Sequence, residues 1–259
     1  MPPTLSELKT LAIQAGQILR AGYGEQFEVH SKGRIDVVTE IDHRSETFLV
    51  EQIRSLYPGH TIITEEAGLL EGFHNHCWYI DPLDGTINYA HGIPIFAISI
   101  AYAEQEQVKL GVIYDPLRDE CFSAERGKGA WLNGRPLHVS ATNELLRSLL
   151  VTGFPYEMHG LYEQNLELFA RLSRLSQGVR RLGSAALDLS YVACGRLEGF
   201  WELTLMAWDI AAGSLLVEEA GGIVTNARGD PDYMKPPHSI LAANPAIHPL
   251  LLAELVKEG

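Results

Sequence analysis

Residues 78–89 read WYIDPLDGTINY, an apolar segment that runs straight into two aspartates, Asp81 and Asp84, followed at once by Gly85 and Thr86. Two carboxylates held this close repel by about 1 kcal/mol at ~4 Å in water and about 4 kcal/mol at an effective dielectric of ~20. A fold that accepts such a segment has to offset the repulsion, either with protons shared in a carboxylate dyad or with cations. Pro82 fixes one φ angle and Gly85 lets the backbone approach a bound group, so a rigid acidic turn is expected. If Thr86, Ile87 and Asn88 begin a helical turn, their free N–H groups suit an anion such as phosphate. In isolation DPLDG is also an ordinary surface turn. The apolar flanks and the placement of the other acids argue against that.

Those acids occupy the ends of predicted elements. Glu65 and Glu66 directly follow the strand TIIT, Asp209 follows Trp208 at the start of a helix, and Asp36 and Asp42 bracket the start of another helix. Taken singly, Asp209 reads as a helix N-cap, the Thr39–Asp42 segment likewise as a helix cap, and Glu65–Glu66 as a solvated loop. Taken together they offer only hard oxygen donors, with no His or Cys in the turn, a set suited to Mg²⁺ or Mn²⁺ rather than Zn²⁺. Acids for metal and amides for phosphate point to metal-assisted phosphoryl chemistry.

Hydrophobic periodicity places these segments on an α+β frame. Thr4 and Glu7 have capping-box spacing, and Leu5, Leu8, Leu11, Ala15, Ile18 and Leu19 recur at helical intervals over 4–22. A second helix begins near Thr39, carries Ile41, Phe48, Leu49, Ile53 and Leu56 on one face, and ends at Pro58–Gly59. EVHSKGRIDVV between them is an extended or hairpin connection. From 61 to about 140 the pattern is short apolar runs, with Asn133–Gly134 as a hairpin turn. After 145 strands and helices alternate: LLVTG, a helix over 159–176, SAALDLSYVACG, GFWEL, DIAAGSLLVEEAGG, GIVT, ILAA and a final helix from about 245. A loose boundary near 140–150 divides a lobe 1–145, carrying the metal and phosphate turn, from a lobe 146–259, carrying Asp209 and substrate contacts. No Pro/Gly/Ser-rich linker marks it, so the lobes should share an interface.

The chain has 259 residues, 46% hydrophobic and 20% charged, which excludes the disordered and membrane classes. A formal charge of -13 disfavours nucleic acid and anionic membrane surfaces as partners. MPPTLSELKTLAIQ has no basic segment leading into a long apolar run, so a cytoplasmic protein is expected. Cys77, Cys121 and Cys194 are far apart and form no CxxC, and are expected to be buried small hydrophobes.

Several segments together resemble the inositol monophosphatase family of metal-dependent phosphatases: DVVTEID at 36–42, TEE at 64–66, WYIDPLDGTINY, GSAALDLSYVACGRLEGFWE at 183–202 and WDIAAG at 208–213. They span nearly the whole chain in family order, and IDPLDGT with a downstream WDxAAG is a specific combination. The resemblance implies a layered α-β-α-β-α sandwich of the inositol monophosphatase and fructose-1,6-bisphosphatase type. It implies a usually dimeric enzyme, often Li⁺-inhibited, that hydrolyses a small phosphorylated polyol or sugar, inositol 1-phosphate first, with two or three Mg²⁺ ions, Mn²⁺ being a substitute. Carried onto this sequence, Glu65, Asp81 and the carbonyl of Leu83 hold the first metal. Asp81, Asp84 and Asp209 hold the second, and Glu65 with water binds the third. The amides of Gly85 and Thr86 hold the phosphate. Thr86, hydrogen-bonded to Asp42, helps Glu65 activate water, and Glu202, Ser184, Ala185 and Asp209 meet the substrate.

Relatives preferring fructose 1,6-bisphosphate, histidinol phosphate or nucleotide 3′-phosphates share this metal core, so the physiological substrate stays open. A haloacid-dehalogenase-type enzyme needs an acid two residues before Asp84, where Pro82 stands. From another class, a non-catalytic metal-binding interaction module would use the acids only for stability. RGKGA at 126–130 lacks the P-loop pattern and reads as a turn. His74, His76 and Cys77 read as a loop before a strand rather than a zinc site, and the Leu/Phe stripe at 161–172 as core or dimer contact. Asp188 admits two readings, a substrate contact or a helix aspartate that is either at the surface or buried and hydrogen-bonded.

Overall fold

The structure, a computed structural model, describes residues 2–25, 29–31, 37–154 and 160–257. Asp36 lies outside the described residues. In chain order, α1 (Leu5–Gly22) precedes an antiparallel pair, β1 (Val29–Ser31) and β2 (Val37–Thr39), then α2 (Glu40–Leu56), β3 (His60–Thr64), β4 (Gly68–Leu70), β5 (Phe73–Asp84) and the short α3 (Thr86–Ala90). Next come β6 (Ala97–Glu104), β7 (Gln107–Asp115), β8 (Glu120–Glu125), β9 (Gly129–Leu132) and β10 (Arg135–Pro136). The remaining elements are β11 (Leu149–Thr152), α4 (Leu161–Leu175), β12 (Gly178–Arg180), α5 (Ala185–Ala193), β13 (Gly199–Glu202), α6 (Ala207–Glu219), β14 (Ile223–Thr225), β15 (Ile240–Ala243) and α7 (His248–Leu255).

Strands β3 to β10 form an eight-stranded sheet in the order β10-β9-β8-β7-β6-β5-β3-β4, and β11 to β15 form a five-stranded sheet in the order β12-β11-β13-β15-β14. Both are buried on two faces, because successive side chains alternate between them. In β6, Ile98, Ile100 and Tyr102 pack with Leu8, Leu11, Leu49 and Ile53 of α1 and α2, while Ala97, Ala101 and Ala103 face α5 and α6. In β13, Phe200 faces α5 and α6, whereas Trp201 faces Leu168 and Leu172 of α4 and Leu251 of α7. The result is five layers: α1/α2, sheet, α5/α6, sheet, α4/α7. The middle core draws residues from both sides of the boundary near 145.

The helix ends follow their caps. Thr4 and Glu7 form a reciprocal capping box on α1, and Thr39 and Asp42 form one on α2. Asn133 and Gly134 both take positive φ, 49° and 80°, as a tight two-residue hairpin requires. Three expectations need correction. Leu56, placed on the buried face of α2, is 54% exposed, since it is the last residue of the helix, past the last buried position at Ile53. His74, His76 and Cys77 are part of β5 rather than a preceding loop, and His76 Nδ1 bonds the Tyr102 hydroxyl at 2.6 Å. Of the three free cysteines only Cys121 is buried. The stripe on α4 divides between Leu168 and Leu172 in the core and Leu166 at the surface, within the reading of core or dimer contact.

The RGKGA segment is a turn between β8 and β9, as read. Its Gly127 and Gly129 amides donate at 2.8 Å to the Glu219 carboxylate, so an internal acid occupies what resembles a phosphate loop.

Candidate active site

The acidic segment is not a free turn. Strand β5 continues through Asp84, and its register against β6 passes from Asp81↔Ser99 to Asp84↔Ala97, three residues against two. That extra residue is a β-bulge. Its consequence is chemical: residues three apart on a regular strand face opposite sides, and the bulge turns both aspartates into one cavity. Pro82, which cannot donate to a ladder, is tolerated at such an irregularity, and its buried carbonyl accepts from Ser45 Oγ at 2.9 Å.

The cavity holds about 490 Å³ and is lined by Glu65, Asp81, Leu83, Asp84, Gly85, Thr86, Ser184, Ala185, Glu202 and Asp209, all named above from sequence. Asp42 stands behind this lining, with its Oδ1 accepting from Thr86 Oγ at 3.0 Å. Strand β3 delivers Glu65 at its C-terminal end, the β5 bulge delivers Asp81 and Asp84, and the first turn of α6 delivers Asp209. The bulge also needs Gly85. Its φ is 92°, and a Cβ there would lie 2.9 Å from the Ile95 carbonyl oxygen.

The carboxylates sense one another. Burial first, then Glu65, Asp84 and Asp209, push Asp81 well above the usual range. Asp209 is raised by burial, by Asp84 and by Glu65, although its carboxylate accepts from the Met206 amide at 2.7 Å. Asp84 is raised to about 6 by burial, opposed by hydrogen bonds from Ser184 Oγ and from the Ala186 amide at 2.8 Å. Burial, Asp209 and Asp84 raise Glu202 in the same way. Asp42 is raised by burial against four hydrogen bonds that lower it.

Among the described residues, no group of three or more His, Cys, Asp or Glu side chains is poised to hold a metal ion as it stands. The fit to a divalent ion rests instead on donor chemistry. Oxygen donors from three distant segments line one cavity, neighbouring acids add to burial in raising Asp81, Asp209 and Glu202, and hard cations take this ligand set.

Sequence reasoning missed several residues here. Glu46 Oε1 accepts from Thr64 Oγ at 2.7 Å and from the Glu66 and Ala67 amides at 3.0 and 3.2 Å, so it holds the backbone around Glu65. Asp42, Ser45 and Glu46 recur at helical spacing with Ile41 and Leu49 on the buried face of α2. Polar residues on an apolar stripe were the available signal. Gly153 was unnamed because its role is spatial: a Cβ there would overlap the Glu202 carboxylate. Arg181 and Thr204 also line the cavity, as does Asp188, one of whose two readings from sequence is a substrate contact.

The fold and the cavity together define a five-layered α/β protein with an oxygen-donor site at the mouth of a bulged strand. The chain belongs to the inositol monophosphatase family, whose model matches residues 2–259. It is 43% identical to the protein named Nus factor SuhB from Pasteurella multocida, over 94% of this chain and 92% of that one. The solved structure of inositol monophosphatase from Anabaena (Nostoc) sp. superposes with a TM-score of 0.86 at 43% identity, covering 97% of this chain and 94% of that one. That of extragenic suppressor protein suhB from Bartonella henselae does so with a TM-score of 0.93 at 40% identity, covering 97% and 98%. Among the described residues no helix is long and apolar enough to cross a membrane.

Proposed function

We propose that this chain hydrolyses a small phosphomonoester in a Mg²⁺-dependent reaction, with inositol 1-phosphate as the first candidate substrate. The observation that carries the reading is the shared cavity of Glu65, Asp81, Asp84 and Asp209 with the Gly85–Thr86 backbone. In this proposal Glu65, Asp81 and the Leu83 carbonyl hold one ion, Asp81, Asp84 and Asp209 a second, and Glu65 with water a third. Bound there, divalent ions supply Lewis-acid polarisation and lower the pKa of water toward neutrality.

The protein's own groups orient the reactants. Thr86 Oγ has one proton and two acceptors within reach, Asp42 Oδ1 and the Leu83 carbonyl, each at 3.0 Å. Donating to Asp42 leaves its lone pairs free to accept from an attacking water and releases the Leu83 oxygen as a ligand. Gly85 and Thr86 present first-turn amides to the phosphate, since helix-initial N–H groups have no intrahelical partner. Glu202, in the space that Gly153 leaves, accepts from substrate hydroxyls. A homodimer in the cytoplasm, Li⁺ sensitivity and Mn²⁺ as a substitute ion belong to the same reading.

The test is phosphate release from inositol 1-phosphate, fructose 1,6-bisphosphate, histidinol phosphate, a nucleotide 3′-phosphate and an aryl phosphate, with Mg²⁺ and with EDTA. Mg²⁺-dependent release, fastest from inositol 1-phosphate, supports the proposal. No release from any of them sinks it in favour of a non-catalytic module.

The identity to a Nus factor carries a second reading, that the chain acts as a Nus factor alongside catalysis. A charge of -13 opposes direct contact with nucleic acid, so such a role would run through protein contacts. A gel shift with RNA at physiological salt checks this; tight binding would reverse the partner assignment.

A further inference from the structure

Asp188 sits in the first turn of α5, one turn after Ser184, the N-cap residue whose hydroxyl donates to Asp84. It is 1% exposed and lines the same cavity as Glu202. Its Oδ1 has no hydrogen-bond partner among the described residues.

Asp42, Glu46 and Glu198 are buried with donors, and Glu254, whose Oε2 makes no hydrogen bond among the described residues, lies 3.2 Å from Arg171 Nε. Asp42 accepts from the Thr39 amide and hydroxyl, Glu46 from three donors, and Glu198 from the Leu149 amide at 2.7 Å and from Thr142 Oγ. Asp188 breaks that pattern at the cavity wall. A buried carboxyl oxygen without a donor is costly, and such orphans mark places where a partner arrives from elsewhere. Glu202 and Asp84 repel Asp188 electrostatically, and Arg181, exposed near the cavity mouth, tempers its charge without giving Oδ1 a hydrogen bond.

We infer that Asp188 is a substrate-specificity residue, which with Glu202 forms an acceptor wall that reads the hydroxyl groups of a phosphorylated polyol or sugar. The inference rests on the phosphatase reading above. A neutral O–H donor satisfies a carboxyl oxygen without adding charge, and two acids on one wall suit a substrate with several hydroxyls. An aryl phosphate offers none of these donors, so a site built around hydroxyls separates the two substrate types.

The experiment compares wild-type protein with Asp188→Asn and Asp188→Ser, each with Mg²⁺, on inositol 1-phosphate and 4-nitrophenyl phosphate. Thermal melting and calorimetric binding of free inositol accompany the kinetics. The expected result is a rise of about tenfold or more in KM for inositol 1-phosphate with kcat within about threefold. Kinetics on 4-nitrophenyl phosphate should stay within about twofold, and inositol binding should weaken in parallel. Equal losses on both substrates, an altered Mg²⁺ half-saturation, or unchanged inositol binding overturns the assignment. If wild-type protein releases phosphate from none of the esters named under the proposed function, the phosphatase reading falls and this one with it. If wild type is active and the variants do not discriminate, only this inference falls.

Discussion

Thr86 and Asp42 lie 44 residues apart in the chain, are both buried, and share a hydrogen bond of 3.0 Å between the hydroxyl and Oδ1. The bond ties the start of α3 to the first turn of α2. Asp42 also closes the capping box on α2, so one carboxylate finishes a helix and aims a hydroxyl at the cavity. Thr86→Val keeps the shape and removes the hydroxyl. Its kcat should fall by about a hundredfold or more, the range for losing a proton-handling group, with an unchanged circular dichroism spectrum. Turnover within a few fold of wild type would remove Thr86 from the chemistry.

Asp84→Asn and Asp209→Asn test the oxygen-donor set. Asparagine keeps an acceptor for the Ala186 and Met206 amides, so both variants should fold. Activity should drop by orders of magnitude. Wild-type protein should melt at higher temperature in Mg²⁺ than in EDTA, because an ion bound only by the folded state stabilises it by mass action. Each variant should lose most of that shift. A full Mg²⁺ shift in both would refute the ligand assignment.

Glu46 supports Glu65 without facing the cavity. Glu46→Leu leaves Thr64 Oγ and two amides without their acceptor, a loss of roughly 3 kcal/mol. Urea unfolding measures this directly. Mg²⁺ half-saturation should also rise, since the backbone carrying Glu65 is no longer held. A variant as stable as wild type would mean that water replaces Glu46 at no cost.

Gly153→Ala places a methyl group where the Glu202 carboxylate sits. The acid must move, so KM for the polyol phosphate should rise while Mg²⁺ half-saturation holds. Glu202→Gln should likewise change substrate preference more than metal affinity. Parallel changes in both parameters would place Glu202 among the metal ligands instead.

His60 provides a pH prediction remote from the site. It is buried, stacks on Tyr57 at 5.0 Å, and its Nδ1 accepts the Trp78 indole N–H at 3.0 Å. Burial, and then His76, lower its pKa from 6.5 to about 4. The unfolded chain therefore takes up a proton that the folded one refuses. The contribution of His60 is fully present above pH 6.5 and is lost as pH falls through about 4. Urea unfolding at pH 7, 5.5 and 4.5 should show wild type losing stability more steeply than His60→Gln. Parallel pH curves would show that His60 does not carry the slope.

Much of this protein is local and therefore legible from residues alone. Capping at Thr4 and Thr39, the Asn133–Gly134 turn and the alternation of strands and helices after 145 all follow from spacing. Short-range sterics and hydrogen bonding decide such features within a few residues. What only the tertiary structure decided is where side chains point. Asp81 and Asp84 face one cavity because β6 pairs with β5 through a bulge. Glu46 is spent on the backbone beside Glu65, Gly153 leaves Glu202 room, and Asp188 Oδ1 is buried without a donor among the described residues. Each depends on contacts between segments tens of residues apart, and a linear pattern carries no record of which long-range partner a side chain meets. Composition and periodicity set which acids stand at element ends; packing of the layers set which of them share a wall.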